Sequence, residues 1–228
     1  MKKIKNIQLI PILMILMMGS LSSCEKFLEE VPPARYQIST LSKPLLDAFV
    51  IGAYEPLSRS RGRLWESTLT RDIEGLAEYC QLPAGGGTNY MNYNFEPQRN
   101  DNAARWTTFY EAIGKSNLII KAIDDDKSLA ENIKAPYKAE AYFVRSLCYW
   151  WLTRMFGDVP LFVEKRLTAS DSRKFTRAPK ADVYKQIELD LNNAIKVLPA
   201  VNTQKGRVTK FAAHALLGKV FLYQNKFD

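Results

Sequence analysis

"TKFAAHALLGKVFLYQNKFD", residues 209–228, is the stretch that decides the fold. Thr209 stands where a helix N-cap belongs, because its side-chain oxygen can accept from an otherwise unpaired first-turn N–H. The residues after it are dense in alanine, the strongest helix former. Leu217, Gly218 and Phe221 then follow at a fixed spacing. A glycine inside a helix is unfavourable by itself, so Gly218 is expected where a neighbouring helix packs close.

Helical periods also run upstream. In "APKADVYKQIELDLNNAIKVLP" (178–199), Val183, Ile187, Leu191, Ala194 and Leu198 form one stripe between Pro179 and Pro199. In "APYKAEAYFVRSLCYWWLTRMFGDVP" (135–160), the stripe is Ala139, Phe143, Leu147, Trp150 and Trp151. Pro136 suits the first turn of that helix, and Gly157 and Pro160 stop it. In "NDNAARWTTFYEAIGKSNLIIKAIDDD" (100–126), Trp106, Phe109, Tyr110, Ile113, Asn117 and Ile120 share a face. A further helix is expected from Leu45, with Ser42 as cap and Pro44 near its first turn. Its stripe is Leu45, Ala48, Phe49, Gly52 and Ala53, and it should end near Tyr54, before Pro56. Residues 56–100 hold five glycines and three prolines with no sustained period, an irregular loop region. No segment reads as a strand. The fold class is all-α, an antiparallel helical array with a long irregular loop region.

The Leu217-Gly218-Phe221 spacing matches the first helix of a tetratricopeptide repeat, with His214 where that motif prefers tryptophan. Residues 106–113 carry a weaker version. A repeat cannot bury its apolar face without its neighbour. A face including Leu216, Val220 and Tyr223 is therefore expected to lack a partner in this sequence. The expectation is an amino-terminal part of a longer protein, with the carboxy-terminal half missing.

The other end of the chain carries a leader. Lys2, Lys3 and Lys5 precede a short apolar run, Ile7 to Met18, too short to span a bilayer. "LSSCEKFLEE" (21–30) follows, and Leu21-Ser22-Ser23-Cys24 resembles a bacterial lipobox, in which the cysteine carries the lipid. The expected organisation is a lipoprotein signal peptide at 1–23, a lipidated tether at 24–40 and a helical domain at 41–228. Removing the leader leaves 205 residues, enough for one sizeable core.

The net charge is +8, of which the leader lysines supply three, leaving +5. The basic stretches 59–63 and 173–177 fall in no nucleic-acid motif, so nucleic acid is not an expected partner. Cys80 and Cys148 lie 68 residues apart, and Cys148 sits in an apolar helical pattern as a small core residue. His214 is the lone histidine, and there is no Cys-x-x-Cys, so neither a metal nor a cofactor is expected. Asp124-Asp125-Asp126 and Glu29-Glu30 read as helix-end and loop charges rather than a catalytic pair. "AGGGT" (84–88) lacks the lysine of a phosphate loop. The chain is not expected to be an enzyme.

Binding has better candidates. "TNYMNYN" (88–94) places Asn89, Tyr90, Asn92, Tyr93 and Asn94 within six positions, and Trp65 is a further aromatic. Aromatic platforms and planar amides are the groups that meet a sugar's flat C–H face and ring hydroxyls. The same tyrosines also suit simple packing on the scaffold.

Cys24 with "KFLEEVPP" (26–33), "WTTFYEAIGKSNLII" (106–120), "KAEAYFVRSLCYWWLTRMFGDVPL" (138–161), "VYKQIELDLNNAIKVLP" (183–199) and "GRVTKFAAHALLGKVFLYQNKFD" (206–228) together resemble the SusD/RagB family of outer-membrane lipoproteins. The resemblance implies a tetratricopeptide-like scaffold with an irregular ligand-binding part. It implies a lipid-anchored, outward-facing protein of the outer membrane that binds an oligosaccharide or other nutrient. Its implied partner is a SusC-like TonB-dependent transporter. The competing reading is a repeat-type envelope adaptor lipoprotein that binds proteins or peptides. The residues have structural readings too. Asn117 is expected to fix a helix–helix or helix–loop contact. Arg145, five residues from Glu140, is expected to pair with a loop or with a carboxylate from another helix.

Overall fold

The computed structural model describes residues 41–58, 100–164 and 176–227. Five helices run through them: α1 (Lys43–Ser58), α2 (Asn100–Asp125), α3 (Glu131–Phe156), α4 (Lys180–Val197) and α5 (Lys210–Tyr223). Each packs on the next in chain order, and α1 also reaches α3. The all-α array read from the sequence is the observed architecture. Among the described residues, the only strand-like pairing is an isolated bridge between Val159 and Ala178.

The α4 stripe is buried as read: Val183, Ile187, Leu191, Ala194 and Leu198 all lie in the core. On α2, Phe109, Ile113, Asn117 and Ile120 are buried, with Trp106 and Tyr110 half-buried against them. α3 is central. Tyr137, Ala141, Val144, Cys148, Tyr149 and Leu152 are buried along with Ala139 and Trp150. Phe143, Leu147 and Trp151 pack only partly, so the expected stripe is one edge of a helix enclosed on most sides.

Four expectations need correction. The buried stripe of α1 is Leu46, Val50, Ala53 and Leu57, rotated from the one expected. α1 also runs through Pro56, which is buried with Leu57. Proline has no N–H to donate to the carbonyl four residues back, so one helical bond is missing in the last turn of α1, which ends two residues later. Likewise α3 begins at Glu131, with Pro136 inside it. On α5, Leu216 and Val220 are buried at 6% and 0% exposure, while Tyr223 is 49% exposed. The open face is Phe211, Ala215, Gly218 and Leu222.

The helix ends follow the sequence. The Thr209 hydroxyl accepts from the Ala212 N–H at 3.4 Å, and Ser42 Oγ accepts from Leu45 N–H at 3.4 Å. Gly157 ends α3 with φ +71°, its N–H reaching the Thr153 carbonyl. That left-handed backbone favours glycine. Asp158 then takes the N–H of Lys180 at 2.8 Å, capping α4 from the preceding chain segment. Asp126 closes the α2–α3 turn by accepting from Ser128 Oγ and Leu129 N–H.

Candidate functional site

The segment after α3 is held by a buried polar network. Arg145 of α3 meets Asp190 of α4 through two bonds: Nε to Oδ2 and Nη2 to Oδ1, both 2.7 Å. This bidentate fork is the strongest common geometry for a guanidinium and a carboxylate. Arg145 Nη1 also donates to Asn117 Oδ1 at 2.7 Å and to the Val163 carbonyl at 2.9 Å. Asn117 Nδ2 donates to the Phe162 carbonyl at 3.1 Å. Tyr149 Oη bonds both the carbonyl and the N–H of Phe162, at 2.9 and 2.7 Å. Tyr110 Oη donates to the Pro160 carbonyl at 2.8 Å. Side chains from α2 and α3 thus hold residues 160–163, and Asp190 of α4 holds Arg145. Arg145 meets both partners expected of it, and Asn117 makes the expected helix–loop contact. Burial pushes the Tyr149 phenol and the Cys148 thiol well above their ordinary values. Both stay neutral, and neither is a candidate nucleophile.

A second network lies at the other edge of α3. Glu140 accepts from Arg207 Nε at 2.9 Å and from Arg207 Nη2 at 2.8 Å. Tyr54 Oη donates to the same carboxylate at 2.9 Å. Arg207 Nη1 reaches Asp47 at 3.2 Å. Burial works against the Arg207 charge, but Glu140 and Asp47 outweigh it and raise the pKa. Burial, then the Glu140 charge, pushes the Tyr54 phenol far up. Glu140, Arg207 and Asp47 form the polar floor of a cleft of about 350 Å³, walled by Ile133, Pro136 and Pro199. The floor is fully paired. It offers shape and rim polarity, but no base facing a nucleophile.

The sequence-read candidates Asn89, Tyr90, Asn92, Tyr93, Asn94 and Trp65 lie outside the described residues, as do Cys24 and Cys80. Among the described residues, no group of three or more His, Cys, Asp or Glu side chains is arranged to hold a metal. No described helix is long and apolar enough to cross a membrane. Sequence reasoning missed the Asp190, Glu140 and Arg207 pairings. The partners are separated by 45 and 67 residues and carry no local signal.

Residues 26–222 match the SusD-like_3 family model, described as starch-binding associating with outer membrane. The chain belongs to this SusD-like family. "SusD-like protein P38" of Formosa agariphila is 28% identical over 100% of this chain and 44% of its own length. "SusD-like protein P2" of the same organism is 31% identical, over 80% of this chain and 36% of its own length. Among solved structures, a laminarin binding SusD-like protein superposes with a TM-score of 0.66 at 29% identity, covering 79% of this chain and 40% of that one. A SusD superfamily protein from Parabacteroides distasonis has a TM-score of 0.69 at 23% identity, a likeness of fold. The chain therefore spans less than half the length of these relatives.

Proposed function

We propose that the chain is a non-catalytic, glycan-binding lipoprotein of the outer membrane. It presents an oligosaccharide or similar nutrient to a TonB-dependent transporter of the SusC type. The observation that carries this reading is the family match along residues 26–222, supported by a relative at 29% identity whose name records laminarin binding. In this reading residues 1–23 are removed, Cys24 carries the lipid, and residues 24–40 form the tether to a domain facing the cell exterior. Two or more acyl chains anchor such a protein stably. The helices act as scaffold: the Arg145 and Glu140 networks hold chain segments in place and perform no chemistry. Tyr90, Tyr93 and Trp65 supply platforms for sugar faces, and Asn89, Asn92 and Asn94 supply amides for hydroxyls. Mass spectrometry of the membrane fraction tests the anchor. The expected mature chain begins at a lipidated Cys24, and Cys24→Ala releases the protein in soluble form. An unmodified Cys24, or a mature start elsewhere, contradicts the reading.

A further inference from the structure

We propose that the cleft between the first turns of α1 and α3 and the α4–α5 loop is a binding site of its own, for a short neutral saccharide. The inference rests on the reading of the chain as a glycan binder. The residues that make this site belong to α1, α3 and the α4–α5 loop. Its volume of about 350 Å³ sits at the small end of the range, about 300–1,000 Å³, in which ligand clefts fall.

The charge of the occupant follows from the lining. Among the described residues, the charged side chains there are Lys43, Asp47, Glu140 and Arg207. Two are cations and two are anions, so they sum to zero. Arg207 ties both carboxylates into one network, to Glu140 at 2.8 Å and to Asp47 at 3.2 Å. An ammonium ligand would be seated against Arg207 and Lys43, and an anion against Asp47 and Glu140. A charge taken out of water without its own partner is costly, so the cleft favours a neutral occupant.

The hydrogen-bonding rim is held in place before any ligand arrives. Asn202 Nδ2 donates to the Val208 carbonyl at 3.3 Å, and the Gln204 N–H donates to Asn202 Oδ1 at 3.1 Å. Arg207 Nη1 donates to Gln204 Oε1 at 3.0 Å, so the floor grips the loop. Gly206 turns the loop with φ +88°, a backbone that favours glycine. The Asn132 amide, the Thr203 hydroxyl and Gln204 Nε2 line the cleft with no hydrogen-bond partner among the described residues. An amide and a hydroxyl offer both donors and acceptors, as sugar hydroxyls require. Ile133, Pro136 and Pro199 supply an apolar wall for the C–H face of a pyranose. A braced rim loses little freedom on binding, which favours a small ligand. A peptide is recognised through a sheet edge, a helix groove or an aromatic-lined groove. This cleft has side-chain amides around one short apolar wall, so a sugar fits better.

The test is a nuclear magnetic resonance titration of the isotope-labelled chain with maltose and with laminaribiose, the glucose disaccharides of starch and laminarin. At least one should give saturable shifts at the backbone amides of Asn132, Thr203 and Gln204. Asn132→Ala and Thr203→Val should each weaken that binding about three- to tenfold, the loss of one neutral hydrogen bond, while circular dichroism stays unchanged. Digalacturonate, which is anionic, and triglycine blocked at both ends should each bind these amides more weakly than the neutral disaccharide. No saturable shift with either disaccharide overturns the proposal. So does unchanged affinity in both variants, or equal or tighter binding of digalacturonate or of the peptide. If the shifts are absent while polysaccharide gels still retard the chain, this site falls and the proposed function stands; if both are absent, both fall.

Discussion

Asp190→Ala isolates the buried pair on which the α3–α4 contact turns. The substitution deletes both 2.7 Å bonds to Arg145 and removes the acceptor of Gln186 Nε2. Arg145 is 3% exposed, so its charge stays in the interior, supported by Asn117, the Val163 carbonyl and the Tyr142 ring 5.5 Å away. Two charge-assisted bonds at about 1.5–3 kcal/mol each give a loss of about 3–6 kcal/mol. Breaking one side of a buried ion pair gives about 3–5 kcal/mol. Both routes agree near 4 kcal/mol, a large share of a stability of about 5–15 kcal/mol. With a urea slope near 2 kcal/mol/M, the unfolding midpoint followed by circular dichroism should fall by about 2 M. The double variant Arg145→Met, Asp190→Leu should lose less than Asp190→Ala alone. It removes both charges together, at the cost of the Arg145 bonds to Asn117 and the Val163 carbonyl and of the Gln186 bond to Asp190. A loss below about 1 kcal/mol for Asp190→Ala, or strict additivity of the two single changes, would refute the reasoning.

Tyr149→Phe should cost about 1–3 kcal/mol and speed exchange of the Phe162 amide, because one hydroxyl serves both backbone groups of that residue; unchanged exchange would contradict this. Gly218→Ala should stabilise the chain on its own by up to about 1 kcal/mol, since the added methyl meets open space. A lower melting temperature for that variant would mean that α5 is already covered there.

The sequence disclosed most where only one helical phase was apolar. α4 alternates Val183, Ile187 and Leu191 with charged residues, so its buried face was unambiguous. α1 and α5 were not legible in the same way. Leu45, Leu46, Phe49 and Val50 offer two apolar phases, and packing on α2 and α3 selects the second. Leu216, Leu217, Val220, Phe221 and Leu222 surround α5, and only its place on α4 buries Leu216 and Val220 while leaving Leu222 outside. Caps at Ser42, Thr209 and Gly157 were legible because each depends on neighbours within a few residues. The ion pairs were not, because the fold alone brings Asp190 to Arg145 and Arg207 to Glu140. The glycan candidates rest on residue type, since aromatic rings and amides suit a sugar wherever the fold places them.

The proposed function has this chain bind glycan through the 88–94 stretch. The most direct measurement is affinity electrophoresis through gels containing starch or laminarin, run with the unsubstituted chain and with Tyr90→Ala and Tyr93→Ala. Circular dichroism would establish that each variant keeps its fold. The account predicts retardation by at least one polysaccharide. It also predicts about five- to tenfold weaker binding when one platform is removed, corresponding to about 1–1.4 kcal/mol. Retardation by neither polysaccharide, or equal retardation of all three proteins, would contradict it.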